Sequence, residues 1–396
     1  MTSRSGHQPG HTTHLLGRLV LLCTYIILVV GIFSLGSALP EIHQAFAGQP
    51  NASRNTELVG AAAGFGFAIT SLALGRSVAR FGYRRILVGS LFVFSVVGTG
   101  AALFHNLYII VFSRVIVGAA TALIVNSSLV AIGTIIPESD RKRFFGLQTF
   151  LGSLAGVVLY PVSGMLGGLD WRLPFALDLL GLALIPMALT LPTAAAAPDD
   201  GVRNVSRIGR LGPRLTVTAV LLGIVMFILS AFGSLYLADK GVHSPLLLSF
   251  PATTSVIGSM IGALAYIALQ KRLGLNGALV TALVAVALGL LFAALSAGVA
   301  SLCAAFLLAG MGTAIFSPSL NEAAIRAAPA DPSRTLGVAN GVFYGSLIVF
   351  PLIVTAMLRI FGGPSGVILC FATCAFVLAI LFAARPWEAA RALDGV

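Results

Sequence analysis

Charge is what this sequence has least of. Only 9% of its 396 residues are Asp, Glu, Lys or Arg, against about 25% in soluble domains. With 58% of the residues hydrophobic, a water-soluble fold would have nowhere to put its apolar surface. Lysine is nearly missing: Lys142, Lys240 and Lys271 stand against 21 arginines. The four cysteines, Cys23, Cys303, Cys370 and Cys374, all lie in apolar runs, with no CxxC or Cys/His cluster. Neither a disulfide framework nor a metal site is expected from them. No HExxH, GxSxG, P-loop or paired catalytic acids stand out, and the loops are too short to hold a catalytic domain. The chain is therefore not expected to be an enzyme, and no cofactor is expected.

What fills the sequence instead is a series of apolar runs. A membrane span needs about 20 such residues. On that rule twelve transmembrane helices, α1 to α12, are expected near 16–39, 58–79, 85–104, 107–135, 144–168, 173–192, 215–238, 246–270, 275–297, 299–324, 336–358 and 365–384. The fold class is an all-α polytopic membrane protein. The first run is too long for a signal-peptide core and is followed by no A-x-A site, so it reads as an uncleaved span. The 107–135 run is long enough that it should tilt or protrude.

The arginines then set the sides. The N-terminus, the even-numbered loops and the C-terminus hold 19 Lys and Arg, whereas the other side holds only Arg54, Arg172, Lys240 and Arg359. That bias puts both termini in the cytoplasm of a multi-pass inner-membrane protein. It also explains the net charge of +11 without nucleic acid. The abundance of Arg, Ala and Gly points to a bacterial source.

The polar stretch TAAAAPDDGVRNVSRIGRLGP reads as a linker. It divides the chain into a six-helix bundle at 1–192, a connection at 193–214 and a second six-helix bundle at 215–396. A shift of 192 positions pairs Arg80-Phe-Gly82 with Arg272-Leu-Gly274. The same shift pairs Gly118, Thr121 and Ala122 with Gly310, Thr313 and Ala314, Ser127 with Ser319, and Pro137 with Pro329. This is an internal repeat. Gly-xxx-Gly pairs fall at Gly60/Gly64 in α2, Gly152/Gly156 and Gly164/Gly168 in α5, Gly258/Gly262 in α8 and Gly337/Gly341/Gly345 in α11. Either they only pack helices tightly, or these four helices form the seam along which two bundles rock.

Ionisable groups inside spans cost about 2.5–3.5 kcal/mol on insertion scales and are functional candidates. Arg114 lies about 10 Å inside α4. Helical spacing places it on one face with Gly118, Thr121, Val125 and Ser128, a face suited to lining a cavity. It is a candidate for substrate or proton coupling, or for capping and pairing. Asp178 in α6, six residues past Arg172, is a candidate protonation site or an acid paired with Arg172 or Arg114. Glu322 is placed to pair with Arg326 at i+4. Glu41, Glu57, His43 and His105 are expected in solvent. Helix α1 has no acid and offers Tyr25, Ser34 and Ser37. Further cavity candidates are Asn126, Ser230, Tyr236, Tyr266, Asn340 and Tyr344. So few charges suit lipophilic, neutral or weakly charged solutes.

Four ordered motifs tie these pieces together: SALPEI ending α1, GRSVARFGYRR between α2 and α3, SRVIVGAATAL in α4, and LAGVVLYPVSGMLGG in α5, followed by DWRLPFAL. On these motifs the chain resembles the major facilitator superfamily, in its twelve-helix drug/proton antiporter and sugar-efflux branch. The resemblance implies gating roles for Gly75, Arg80, Gly82, Arg84, Arg85, Gly152, Gly156, Pro161 and Gly164. The chain departs from the family pattern at Ala79, where a latch acid usually stands, at Tyr160 before Pro161, and at Val117. The expected function is proton-coupled efflux of small molecules by alternating access, with a small-molecule substrate, protons and the lipid bilayer as partners and the chain acting as a monomer. The alternatives are an exporter of sugars, amino acids or other metabolites, a uniporter, or a non-transporting membrane sensor.

Overall fold

The structure, a computed structural model, describes residues 11–33, 35, 38–49, 51–192, 213–229, 236–237, 245–327, 332–361 and 363–384. Among them every regular element is helical. The spans are α1 His11–Phe33, α2 Ala52–Phe81, α3 Tyr83–Gly100, α4 Leu107–Ile135 and α5 Glu138–Leu169. Helix α6 opens as a 3₁₀ segment, Leu173–Leu179, and continues as Leu180–Ala188. Helix α7 is Pro213–Phe227, α10 Val299–Ala327, α11 Pro332–Phe361 and α12 Pro364–Ala384. The helical run Pro245–Ala294 contains a non-helical residue at Gly274 and holds both α8 and α9.

The doubling back at Gly274 follows from packing. Gly258 and Gly262, before it, lie against Leu307 and Met311 of α10. Gly289, after it, lies against Ala305 and Ala309 of the same helix. Two segments about equally far on either side of one residue meet one level of a third helix, so the chain reverses between them. Gly274 has φ 68° and Gly82 has φ 82°, backbone angles that favour glycine. They are the two positive-φ glycines among the described residues, and they are partners under the 192-residue shift.

The repeat is equally close at helix contacts. A Cβ on Gly118 in α4 would lie 1.8 Å from the Ala63 carbonyl oxygen in α2. A Cβ on Gly310 in α10 would lie 2.1 Å from the Ser255 carbonyl in α8. Likewise Gly66 meets the Val115 carbonyl at 2.0 Å and Gly258 meets the Leu307 carbonyl at 2.0 Å. Each second pair is the first pair moved by 192. Small residues let helix backbones touch where lipid gives no hydrophobic push between helices, and here the same two touches are built twice.

Prolines mark two of the helix starts. Helix α1 stops at Phe33, before 39, and a separate short helix, Leu39–Ala45, starts with Pro40 in its first turn. Pro174 opens α6 in the same way. Helix α4 keeps its expected bounds; 29 residues make a rod of about 44 Å, longer than the bilayer core. Two faces are distinguished below: the turn face, where Gly82 and Gly274 sit, and the aromatic face opposite. On the aromatic face Leu35, Ile42, Phe46, Val59, Leu107, Ile110 and Phe175 form a satellite core. The main core runs through both halves of the chain.

Candidate functional site

Arg114 is 1% exposed and Asp178 2% exposed, and they meet: Arg114 Nη2 donates to Asp178 Oδ2 at 2.9 Å and to the Gly98 carbonyl at 3.1 Å. The guanidinium carbon stands 5.1 Å from the centroid of the Phe175 ring. Three helices make this site. Helix α4 brings the arginine, the tight 3₁₀ opening of α6 brings Phe175 and Asp178, and α3 brings Gly98. A Cβ at Gly98 would lie 2.3 Å from Asp178 Oδ2, so the carboxylate occupies space that only glycine leaves. Ser95 Oγ donates to the Asp178 carbonyl at 2.7 Å and Thr99 Oγ1 to the Phe175 carbonyl at 3.3 Å, fastening α6 to α3. Among the described residues Arg114 Nε has no hydrogen-bond partner. Between the two expected partners of Asp178 the structure chooses Arg114. Arg172 instead lies over Trp171 at 4.6 Å, contacts His105 Nε2 and sits 3.5 Å from Asp170.

Desolvating two charges costs several kcal/mol each, and the pair is stable only because the geometry returns it. The internal repeat shows that the fold does not need it. The 192-residue shift carries Arg114 to Phe306, Gly98 to Leu290 and Asp178 to Cys370. Phe306 and Leu290 are fully buried. One half of the chain has Phe306, Leu290 and Cys370 at these positions, without a formal charge, and the other has an ion pair.

The rest of the expected Arg114 face is packed rather than open. Gly118 lies on α2, and Thr121 donates to the Val117 carbonyl while its hydroxyl faces Gly31 of α1. Ser128 is locked into a buried cluster with α1 and α5. Thr24 Oγ1 donates to Ser128 Oγ at 2.9 Å, Ser128 Oγ to the Leu21 carbonyl at 3.2 Å, and Gln148 Nε2 reaches the Leu21 carbonyl at 2.7 Å. Asn126 Nδ2 donates to Ser71 Oγ of α2 at 3.2 Å. The Tyr236 hydroxyl donates to the Ser296 carbonyl at 3.1 Å, past the end of α9. Ser34, Ser37 and Ser230 lie outside the described residues.

Polar and aromatic groups do meet between the halves. Asn321 Nδ2 of α10 donates to the Tyr25 hydroxyl of α1 at 3.2 Å, and Asn340 Nδ2 of α11 donates to Asn321 Oδ1 at 3.1 Å. Beside them Phe67 of α2 meets Tyr344 of α11, ring centroids 4.5 Å apart, and Phe343 meets Tyr344 at 5.0 Å. Gly345 of α11 touches Ala68 of α2, and Gly146 of α5 touches Ala263 and Ile267 of α8. The four helices expected at a seam are in contact there, and of the expected glycines Gly345 lies at these contacts. Gly258 and Gly262 face α10 inside their own half, and Gly152 packs on Tyr25. Tyr25→Phe is expected to strand the Asn321 donor and cost about 1–3 kcal/mol, read as a lower melting temperature of the purified protein.

Among the gating residues, Gly82 supplies the turn, Arg84 is half-buried and Arg85 exposed. Gly156 is buried, Gly164 half-buried, and Pro161 sits inside α5 on its exposed side. The side chains of Gly75, Ala79, Arg80, Tyr160 and Glu57 fall outside the described residues. Glu322 pairs with Arg326 as its spacing requires, Oε1 accepting from Nε at 3.0 Å, and is almost fully buried. Glu41 is less solvated than expected, with Oε2 buried. His43 is exposed, as is His105, which nonetheless contacts Arg172.

A sequence model of the Major Facilitator Superfamily matches residues 21–263, more than half of the chain. The chain belongs to the major facilitator superfamily. Among curated superfamily relatives, the quinolone resistance protein NorA of Staphylococcus aureus is 27% identical over 194 residues, 47% of this chain and 49% of that one. The methylenomycin A resistance protein of Bacillus subtilis is 28% identical over 184 residues, 46% of this chain and 37% of that one. The matched part thus spans about half the length of these relatives or less. Two solved superfamily structures share the fold. The proton:xylose symporter XylE has a TM-score of 0.74 at 16% identity, covering 94% of this chain and 95% of that one. FucP in its outward conformation scores 0.67 at 15% identity, covering 93% and 99%. This is an all-α, multi-pass membrane protein of that superfamily. Among the described residues seven helices are long and apolar enough to cross a bilayer, one of them the α8–α9 pair, with three shorter apolar helices beside them.

Proposed function

We propose that this transporter exports lipophilic, neutral or weakly charged small molecules by alternating access, driven by protons moving the other way. The two six-helix halves, 1–192 and 215–396, would rock about the α2–α11 and α5–α8 contacts, with both termini in the cytoplasm of a bacterial inner membrane. Tyr25, Asn321, Asn340, Phe67 and Tyr344 join the halves without a formal charge, which suits solutes that cannot satisfy buried ions. Two relatives named for drug resistance support the substrate class.

The observation that carries proton coupling is the ion pair built in one half only. Asp178 can be neutral or charged. Its protonation would free Arg114, and the two arrangements give α6 two ways to sit on α3 and α4. A second reading has its own support: every described partner of Arg114 lies on α3 or α6, none across the seam, which favours a structural tie.

Flux in proteoliposomes, with and without an imposed proton gradient, tests the proposal against a panel of lipophilic cations, neutral drugs and sugars. Gradient-dependent flux of the lipophilic solutes, lost in Asp178→Asn, is the expected result. Flux that ignores the gradient, or sugar flux alone, would overturn it in favour of a uniporter or metabolite exporter.

A further inference from the structure

On the aromatic face a chain of contacts runs from solvent down to the buried ion pair. It starts at His105, an exposed ring in the α3–α4 connection, whose Nε2 contacts Arg172 Nη2. The Arg172 guanidinium, 35% exposed, lies over the Trp171 ring at 4.6 Å. Trp171 meets Phe46 edge-on at 4.8 Å and Phe175 at 6.2 Å. Phe175 is fully buried, and its ring lies 5.1 Å from the guanidinium carbon of Arg114, which holds Asp178. The 192-residue shift carries His105, Trp171 and Arg172 to Ala297, Gly363 and Pro364. This cover therefore belongs to the half that has the ion pair and is not repeated in the other.

The first link is sensitive to one proton. A guanidinium has donors and no acceptor, so His105 Nε2 must accept, and the ring must be unprotonated there to do so. A proton added at Nε2 turns the acceptor into a donor and sets two positive charges against each other. Arg172 has another partner within reach, since Asp170 Oδ1 lies 3.5 Å from its Nη1. Among the described residues, Arg172 and Asp170 are the charged groups in contact at this link. The α1–α2 connection approaches through neutral Gln49, whose Nε2 donates to the His105 carbonyl at 2.8 Å. Glu41 and His43 lie on the short helix before it and Tyr108 opens α4, and none of the three has a described contact with the His105 ring.

We propose that His105, Arg172 and Trp171 form an acid-operated lid over the Arg114–Asp178 pair. Protonation of His105 from the external side releases Arg172 toward Asp170, unclamps Trp171 from Phe175, and opens the pair to external water. The inference rests on the proton-coupled reading for the purpose of the lid, which is to let a proton reach Asp178 from outside.

The lid carries its own reporter. The chain has two tryptophans, Trp171 and Trp387, so Trp387→Phe leaves Trp171 as the single indole. In that background the purified full-length protein, without substrate or gradient, is titrated with acrylamide at about pH 8 and about pH 5.5, either side of the range where histidine changes charge. Quenching of Trp171 is expected to rise on acidification. His105→Gln, neutral throughout, is expected to lose the rise, and His105→Lys, positive throughout, to show the acid level at both pH values. His43→Gln is expected to keep the rise. No rise at all, a rise that survives in His105→Gln, or one that is lost in His43→Gln would overturn the proposal. Quenching needs no flux, so the two readings fail separately. Gradient-independent flux with the quenching pattern intact would overturn proton coupling while supporting the lid, and the opposite combination would overturn the lid alone.

Discussion

Gly118→Val is expected to yield no monodisperse protein after detergent extraction, and Gly310→Val is expected to fail in the same way. The reason is steric and lies in the backbone. The first atom added at Gly118 would be 1.8 Å from the Ala63 carbonyl oxygen, and at Gly310 2.1 Å from the Ser255 carbonyl. Since the clashing atom is a Cβ against a main-chain oxygen, no rotamer can relieve it. The helices must move apart by an ångström or more, opening voids along α2–α4 or α8–α10. Overpacking with side-chain relief costs about 1–3 kcal/mol, and without relief this should exceed it. Gly89→Val is the internal control, because its Cβ meets nothing within 4 Å. Fluorescence-detected size exclusion on the three variants reads the outcome directly. A wild-type profile for Gly118→Val would mean that α2 and α4 are not in backbone contact as described.

The second large effect concerns the buried ion pair, where stability and transport are expected to part. Asp178→Ala leaves a guanidinium buried with the Gly98 carbonyl as its one described hydrogen-bond partner. Removing one member of a buried pair costs about 3–5 kcal/mol, a large fall in melting temperature. Arg114→Met combined with Asp178→Leu removes both charges, as the other half does with Phe306 and Cys370 at the matching positions. That double variant is expected to melt near the wild type, because apolar replacement of a buried pair is often neutral or stabilising. It is also expected to carry no gradient-driven flux. If the pair is a structural tie, the double variant should regain flux along with stability. Melting curves and flux on the same preparations separate the two.

Much of the architecture was legible because lipid imposes so simple a rule. Apolar runs of about 20 residues located the helices, and α4 fell on its expected bounds, 107–135. At Pro40 a proline starts a new helical segment beyond the end of α1, while Pro174 opens α6 at its expected start, 173. The repeat was visible at Gly82/Gly274 and Gly118/Gly310 because both pairs do backbone work that another residue would disrupt.

What a face looks toward was harder to read. Periodicity placed Arg114, Thr121 and Ser128 on one stripe, but the same stripe results whether it borders a cavity or four packed neighbours. Gly98, without which Asp178 would not fit, is one of 44 glycines and carries no local signal. The same holds for Gly66, which meets the Val115 carbonyl of α4. Asn321, the centre of the polar bridge between the halves, carries no local signal beside the adjacent acid Glu322. Long-range partners such as Tyr25 and Asn321, 296 positions apart, leave no trace in spacing along one chain.

The most direct measurement of the central claim is the movement of protons driven by substrate alone. Proteoliposomes holding a trapped pH indicator, with no initial proton gradient, receive a gradient of a lipophilic solute that the protein transports. Proton-coupled export predicts a pH change opposite in direction to the solute flux, present in the wild type and absent in Asp178→Asn. Solute flux without any pH change, or a pH change that Asp178→Asn leaves intact, would contradict it.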